Sequence, residues 1–171
     1  MPFDSHIRRG HPIMFGLLIF FGIIEGAITT WLTVMYNNYN NYDSVSIRDR
    51  IRLLCFTSWW TVFFSFIYLL LFLHSASTGS ILTSVASHLI FLAFTWLLWT
   101  AGVASLTAGL GGGLNCANLP RDIAYCSQLN AAEAFGWIEW LLTTLLISVV
   151  FICGIRSRRR GEGARGQLIV V

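Results

Sequence analysis

Lysine is absent from this 171-residue chain, so all eleven basic residues are arginine. From Leu53 to Pro120 there is also no Asp, Glu or Arg. A water-facing surface needs charge, so that stretch excludes a soluble domain. As one helix it would extend about 100 Å against a hydrocarbon core of about 30 Å, so it must cross a bilayer twice and turn back. The one polar, small-residue break within it is His74 to Ser80. There is no Cys-x-x-Cys and no His/Cys cluster, which excludes the common metal-binding spacings. Gly111-Gly112-Gly113 lacks a following Lys-Ser/Thr and is not a phosphate loop. No Ser/His/Asp set shares a depth, so no catalytic residue is assigned. No cofactor and no nucleic-acid partner are expected.

What remains is apolar: 56% of the residues are hydrophobic. Four runs are each long enough to cross a bilayer as a helix, at about Ile13–Met35, Leu53–Leu73, Ile81–Leu106 and Ala134–Ile155. The fold class is all-α, an integral-membrane four-helix transmembrane bundle over residues 13–155. Residues 1–12 form a short leading segment, with Pro12 at the helix start, and residues 156–171 form a basic tail. A signal peptide is not expected, because the first apolar run exceeds the usual apolar region of about 7–15 residues.

An even number of spans puts both ends on one side. Seven arginines lie at the ends, against Arg48, Arg50, Arg52 and Arg121 in the first and third loops. The positive-inside bias places both termini in the cytoplasm of a plasma membrane or endomembrane. Trp31, Tyr36, Tyr39 and Tyr42 then form an outer aromatic belt, and residues 107–133 form the larger outer loop.

Cys116 and Cys126 share that outer loop, on the oxidising side, where a disulfide is expected; two free thiols are the alternative. Cys55 and Cys153 lie at opposite membrane faces and cannot pair. Cys153 is a buried thiol or, beside the arginines, a palmitoylation position.

The intramembrane polar residues are Glu25, Glu139 and His88. Glu25 is near the middle of the first span, and Glu139 lies about 8 Å toward the outer side of the fourth. An unpaired carboxylate at such depth costs several kcal/mol, so each must face other helices. The readings are a helix–helix contact or a proton or ion pathway. His88 is about 10 Å from the middle of the third span, too distant in depth to touch Glu25.

Helix packing is assigned to the GxxxG pair Gly22 and Gly26 and to Ala101, Ser105 and Gly109, since small residues let backbones approach in lipid. A homo-oligomer surface is the alternative. Trp96 and Trp99 need partners for their N–H groups, or shape a lipid groove. Arg156, Arg158, Arg159 and Arg160 follow the last span and either mark its cytoplasmic end or contact anionic lipid.

Three stretches carry a family resemblance: Arg50 to Thr61, with its Arg, apolar residues, Phe56 and Trp59-Trp60; the paired Cys116 and Cys126; and Leu129 to Trp137. Together, in this order and spacing, the chain resembles the fungal branch of the MARVEL-domain family over roughly residues 10–155. Claudin-like proteins carry cysteines in the first outer loop, and tetraspanins have a larger second loop with Cys-Cys-Gly; neither pattern occurs here. The resemblance implies a non-enzymatic role in membrane organisation or trafficking, through membrane lipids, a homo-oligomer or other membrane proteins. The alternatives are a small channel or transporter, or a subunit of a larger membrane complex.

Overall fold

A backbone in hydrocarbon finds no water to bond, so each apolar run must satisfy its own N–H and C=O groups as a helix. The computed structural model describes residues 2–75, 85–118 and 123–159. Four helices follow in order: α1 (Pro2–Tyr39), α2 (Val45–Ser75), α3 (Val85–Leu110) and α4 (Cys126–Arg159). All four are long and apolar enough to cross a membrane.

The helices outrun the apolar stretches that announce them. Helix α2 begins at Val45, not near Leu53, because Ser44 caps it: its Oγ accepts the Ile47 N–H at 3.2 Å. Arg48, Asp49, Arg50 and Arg52 thus stand on the opening turns of a helix. Helix α4 starts at Cys126 and not near Ala134, so the connection between α3 and α4 is shorter than expected. Pro12 lies inside α1, not at its start. The ring can offer no N–H to the Arg8 carbonyl, so one bond of the helical ladder is missing there.

The helix ends have local causes. Asn40 adopts a left-handed φ of 51°, and its N–H bonds the Tyr36 carbonyl at 3.1 Å, which stops α1. At the end of α3, Gly111 and Gly112 have φ of 78° and 98°. The Gly112 N–H returns to the Thr107 carbonyl at 3.0 Å, a Schellman closure that needs glycine. The expected turn from His74 to Ser80 extends outside the described residues, as does Arg121.

Each helix packs against two neighbours in the cyclic order α1, α2, α3, α4. Paired positions run in opposite senses along each seam, so the bundle is antiparallel, with the start of α1 and the end of α4 at one end of it. Six of the seven tryptophans donate their indole N–H to a threonine on an adjacent helix. Between α2 and α1, Trp59 Nε1 donates to Thr30 Oγ1 at 3.0 Å. Between α2 and α3, Trp60 donates to Thr95 at 3.2 Å and Trp99 to Thr61 at 3.1 Å. Between α3 and α4 the pairing is reciprocal: Trp96 donates to Thr144 at 2.9 Å and Trp140 to Thr100 at 2.8 Å. Trp137 adds a bond to Thr107 at 3.1 Å.

Thr61, Thr100 and Thr144 each donate their own proton to the carbonyl four residues earlier, at 2.7–2.8 Å. Each hydroxyl therefore donates along its helix and accepts across the seam. Glycine lets the backbones approach between these bonds: a Cβ on Gly102 would sit 2.8 Å from Leu54 Cδ2, and one on Gly136 would sit 3.2 Å from Val103 Cγ2.

Thr61→Val keeps the volume but removes the acceptor for the wholly buried Trp99 N–H. It is expected to destabilise the bundle by about 1 kcal/mol, read as a lower unfolding midpoint in a detergent–SDS titration. Gly102→Val should cost more, about 2 kcal/mol, because the new methyl groups must displace Leu54.

Candidate functional site

The buried apolar residues form two separate clusters. One gathers Phe15, Leu18, Phe72, Phe91, Leu92, Leu146, Val150 and Cys153 near the end that carries the start of α1 and the end of α4. The other gathers Leu32, Tyr36, Ile51, Leu54, Trp99, Val103 and Leu106 with neighbours near the opposite end. Between them all four helices turn polar residues inward. Glu25 and Thr29 come from α1, Ser58, Thr61 and Ser65 from α2, Thr95 from α3, and Glu139 and Thr143 from α4, all fully buried. The hydroxyls at three- and four-residue spacing on α2 were the sequence signal for this layer.

The layer's hydroxyls mostly bond their own helices. Thr29 donates to the Glu25 carbonyl at 2.7 Å, and Thr143 to the Glu139 carbonyl at 2.8 Å. Ser58 donates to the Leu54 carbonyl at 2.7 Å. The carboxyl oxygens of Glu25 and Glu139 are different: none of the four has a hydrogen-bond partner among the described residues. With α4 beginning at Cys126, Glu139 falls near the middle of its helix, as Glu25 does in α1. The Glu139 carboxyl reaches the α1 face that carries Gly22, three residues before Glu25. A lone ionised carboxylate left buried in this way would cost about 3–5 kcal/mol.

Gly22 and Gly26 lie on the α1 face that meets this layer and α2. A Cβ on Gly22 would stand 2.9 Å from Val62 Cγ2 and 3.5 Å from Glu139 Oε1. One on Gly26 would stand 3.1 Å from the Trp59 ring. On α3 the small-residue reading shifts by one position. Ala101 is exposed and Gly102, which was not singled out, is buried against Leu54. A four-residue spacing read from sequence cannot say which side of a helix faces its neighbour. Ser105 bonds the Gly102 carbonyl at 2.9 Å, and the Arg50 guanidinium occupies the space that a Cβ on Gly109 would need.

His88 belongs to another group. Its ring lies 4.6 Å from that of Tyr68 and 5.3 Å from that of His11. The sequence reading missed His11, because Pro12 was placed at the start of the helix and everything before it outside the bundle. The His11 ring stacks between Phe15 at 4.4 Å and Phe72 at 4.1 Å.

At the other end, Cys116 and Cys126 form a disulfide. Asn130 fixes the loop it closes: its Oδ1 accepts the Leu114 N–H at 2.8 Å and its Nδ2 donates to the Leu114 carbonyl at 2.7 Å. Arg52 donates to Asn37 at 2.6 Å, and Arg48 lies 5.0 Å over the Tyr42 ring. Cys153 is buried in the cluster with Phe15 and Phe72, which does not suit lipid attachment. The side chains of Arg156, Arg158 and Arg159, and all of Arg160, lie outside the described residues.

A family model for the MARVEL membrane-associating domain matches residues 7–151. The chain belongs to the MARVEL family. No curated protein and no solved structure matches it. The MARVEL domain is a membrane-associating domain, which agrees with four helices of spanning length and makes this a multi-pass membrane protein in contact with lipid. The stretch Arg50 to Thr61 opens α2 and delivers Ser58, Trp59, Trp60 and Thr61 to the α1 and α3 seams. Leu129 to Trp137 lies in the first turns of α4, where Gly136 meets Val103.

Replacing Cys116 and Cys126 by serine should free the loop between α3 and α4 and cost about 2–3 kcal/mol. The expected readout is faster protease cleavage between residues 111 and 125, in intact membrane helices.

Proposed function

We propose that this MARVEL protein is a non-enzymatic organiser of membranes. It works by grouping lipids and other membrane proteins laterally, or by serving their trafficking. The observation that carries this reading is the placement of polar and apolar groups. Large apolar side chains face outward along every helix, among them Phe20, Phe63, Ile90 and Leu145. Buried polar residues point inward, and tryptophan–threonine bonds tie the helices to one another. Such a surface offers contacts to acyl chains and to other apolar helices, and the tetraspan form places them on all sides. Among the described residues no group of three His, Cys, Asp or Glu is arranged to hold a metal.

In this reading both termini are cytoplasmic, supported by the arginine distribution. Arg156, Arg158, Arg159 and Arg160 contact anionic headgroups, each contributing about 1 kcal/mol. Homo-oligomers or other membrane proteins pack on the apolar faces.

The test is reconstitution into giant vesicles with coexisting lipid phases. The protein should concentrate in one phase and cluster there. Changing the four tail arginines to glutamine should reduce the affinity of the purified protein for anionic over neutral nanodisc lipid by at least tenfold. Uniform distribution, together with ion or solute flux that Glu25→Gln abolishes, would replace this reading with a transporter.

A further inference from the structure

The bundle is a ring of four seams, and they are not held alike. Tryptophan–threonine bonds cross three of them, α1–α2, α2–α3 and α3–α4. Among the described residues none crosses α1–α4, the seam between the first and last helices, which no single loop joins. That seam carries the buried Glu25 of α1 and Glu139 of α4, with Phe21 and Phe135 alongside at 6.2 Å between ring centroids. Gly22 allows this approach, because Glu139 Oε1 lies 3.5 Å from the place where its Cβ would be.

An ionised carboxylate can only accept hydrogen bonds. Each of these carboxyls therefore needs a donor; the hydroxyls around them are engaged elsewhere, except Ser65 on α2, whose buried Oγ bonds neither carboxyl. Thr29 and Thr143, one turn on from each glutamate, give their protons to the backbone carbonyls of those same glutamates. Ser58 and Thr61, facing from α2, give theirs to Leu54 and Thr57. From α3 the layer receives Thr95, which is uncharged and accepts from Trp60. Among the described side chains no cation is seen paired with either carboxyl; Arg48 and Arg52 pair with Asp49, outside this layer. Of the other titratable groups inside the bundle, His11 and His88 sit among Phe15, Phe72 and Tyr68 toward one end. Glu133 lies nearly two turns outward on α4.

We propose that Glu25 and Glu139 form a proton-bridged acid pair, in which the O–H of one carboxyl donates to an oxygen of the other and so closes the α1–α4 seam. The proton is the ligand, and its site is built from two helices. Its loss leaves two anions in one apolar layer and drives α1 and α4 apart. The other three seams keep their tryptophan bonds. The bundle thus has one seam that answers to proton availability and three that do not.

Thermal unfolding of the full chain in nanodiscs tests this, with Glu25→Gln/Glu139→Gln as the comparison. The amide pair supplies its own N–H donors and does not titrate. For the unaltered protein the midpoint should fall by about 4 °C or more between about pH 6 and pH 9. The double variant should show no such fall and should match the unaltered protein at the acid end. Equal pH slopes for the two proteins would overturn the proposal. So would a midpoint that responds to replacing sodium by choline and not to pH, since an alkali ion would then be the bridge.

A second measurement needs no variant. A hydrophobic carbodiimide reacts with a protonated carboxyl in an apolar setting. It should label Glu25 or Glu139, located by peptide mass, and labelling should fall at least tenfold at the alkaline end. Absence of labelling at the acid end, or labelling independent of pH, would sink the pair.

Discussion

An indole N–H in hydrocarbon has no water to turn to. Six tryptophans enter this bundle, and each brings a donor that must find an acceptor on the protein. Threonine supplies it. Three of the six threonines also donate back to their own helix, so those hydroxyls are used twice and the bond across the seam is fixed in direction. Each tryptophan covers a large apolar area, and the threonine opposite it sets the height at which two helices meet. Register, neighbour order and the depth of the polar layer all follow from these bonds.

The same demand explains the divided core. Apolar packing fills the two ends of the bundle, where large residues meet without polar atoms to satisfy. The middle holds hydroxyls that bond their own helices and two carboxyls that bond none of the described groups. Glycine is placed where helices must come closest: Gly22 and Gly26 against α2, Gly102 against Leu54, Gly136 against Val103. Close approach is worth more in lipid than in water, because lipid tails compete with side chains for the same apolar contacts. The outward faces are left to lipid and to other helices, which is the property a membrane-organising protein uses.

Much of the fold was legible in the chain itself. A charge-free stretch too long for one crossing, flanked by two further apolar runs, implies four helices, and four helices match the MARVEL domain. Their ends were not legible. An apolar run records the thickness of hydrocarbon, whereas a helix continues until a cap or a left-handed residue stops it. Ser44, Asn40 and the Gly111-Gly112 pair supply stops for α2, α1 and α3, and both α2 and α4 begin about two turns before their apolar runs. That shift brought Glu139 to the level of Glu25. Pro12 misled in the same way and hid His11 from the bundle.

The sequence alone determined that this protein lives in a bilayer as four helices, because apolar length and the lack of charge leave no other solvent. It also determined that Glu25 and Glu139 must be shielded from lipid. Which residues meet was decided only by the tertiary structure. Periodicity along one helix says nothing about the rotation or height of the next. So the choice of Gly102 over Ala101, the pairing of each tryptophan with its threonine, and the meeting of two glutamates across α1 and α4 all wait on how the four helices turn toward one another.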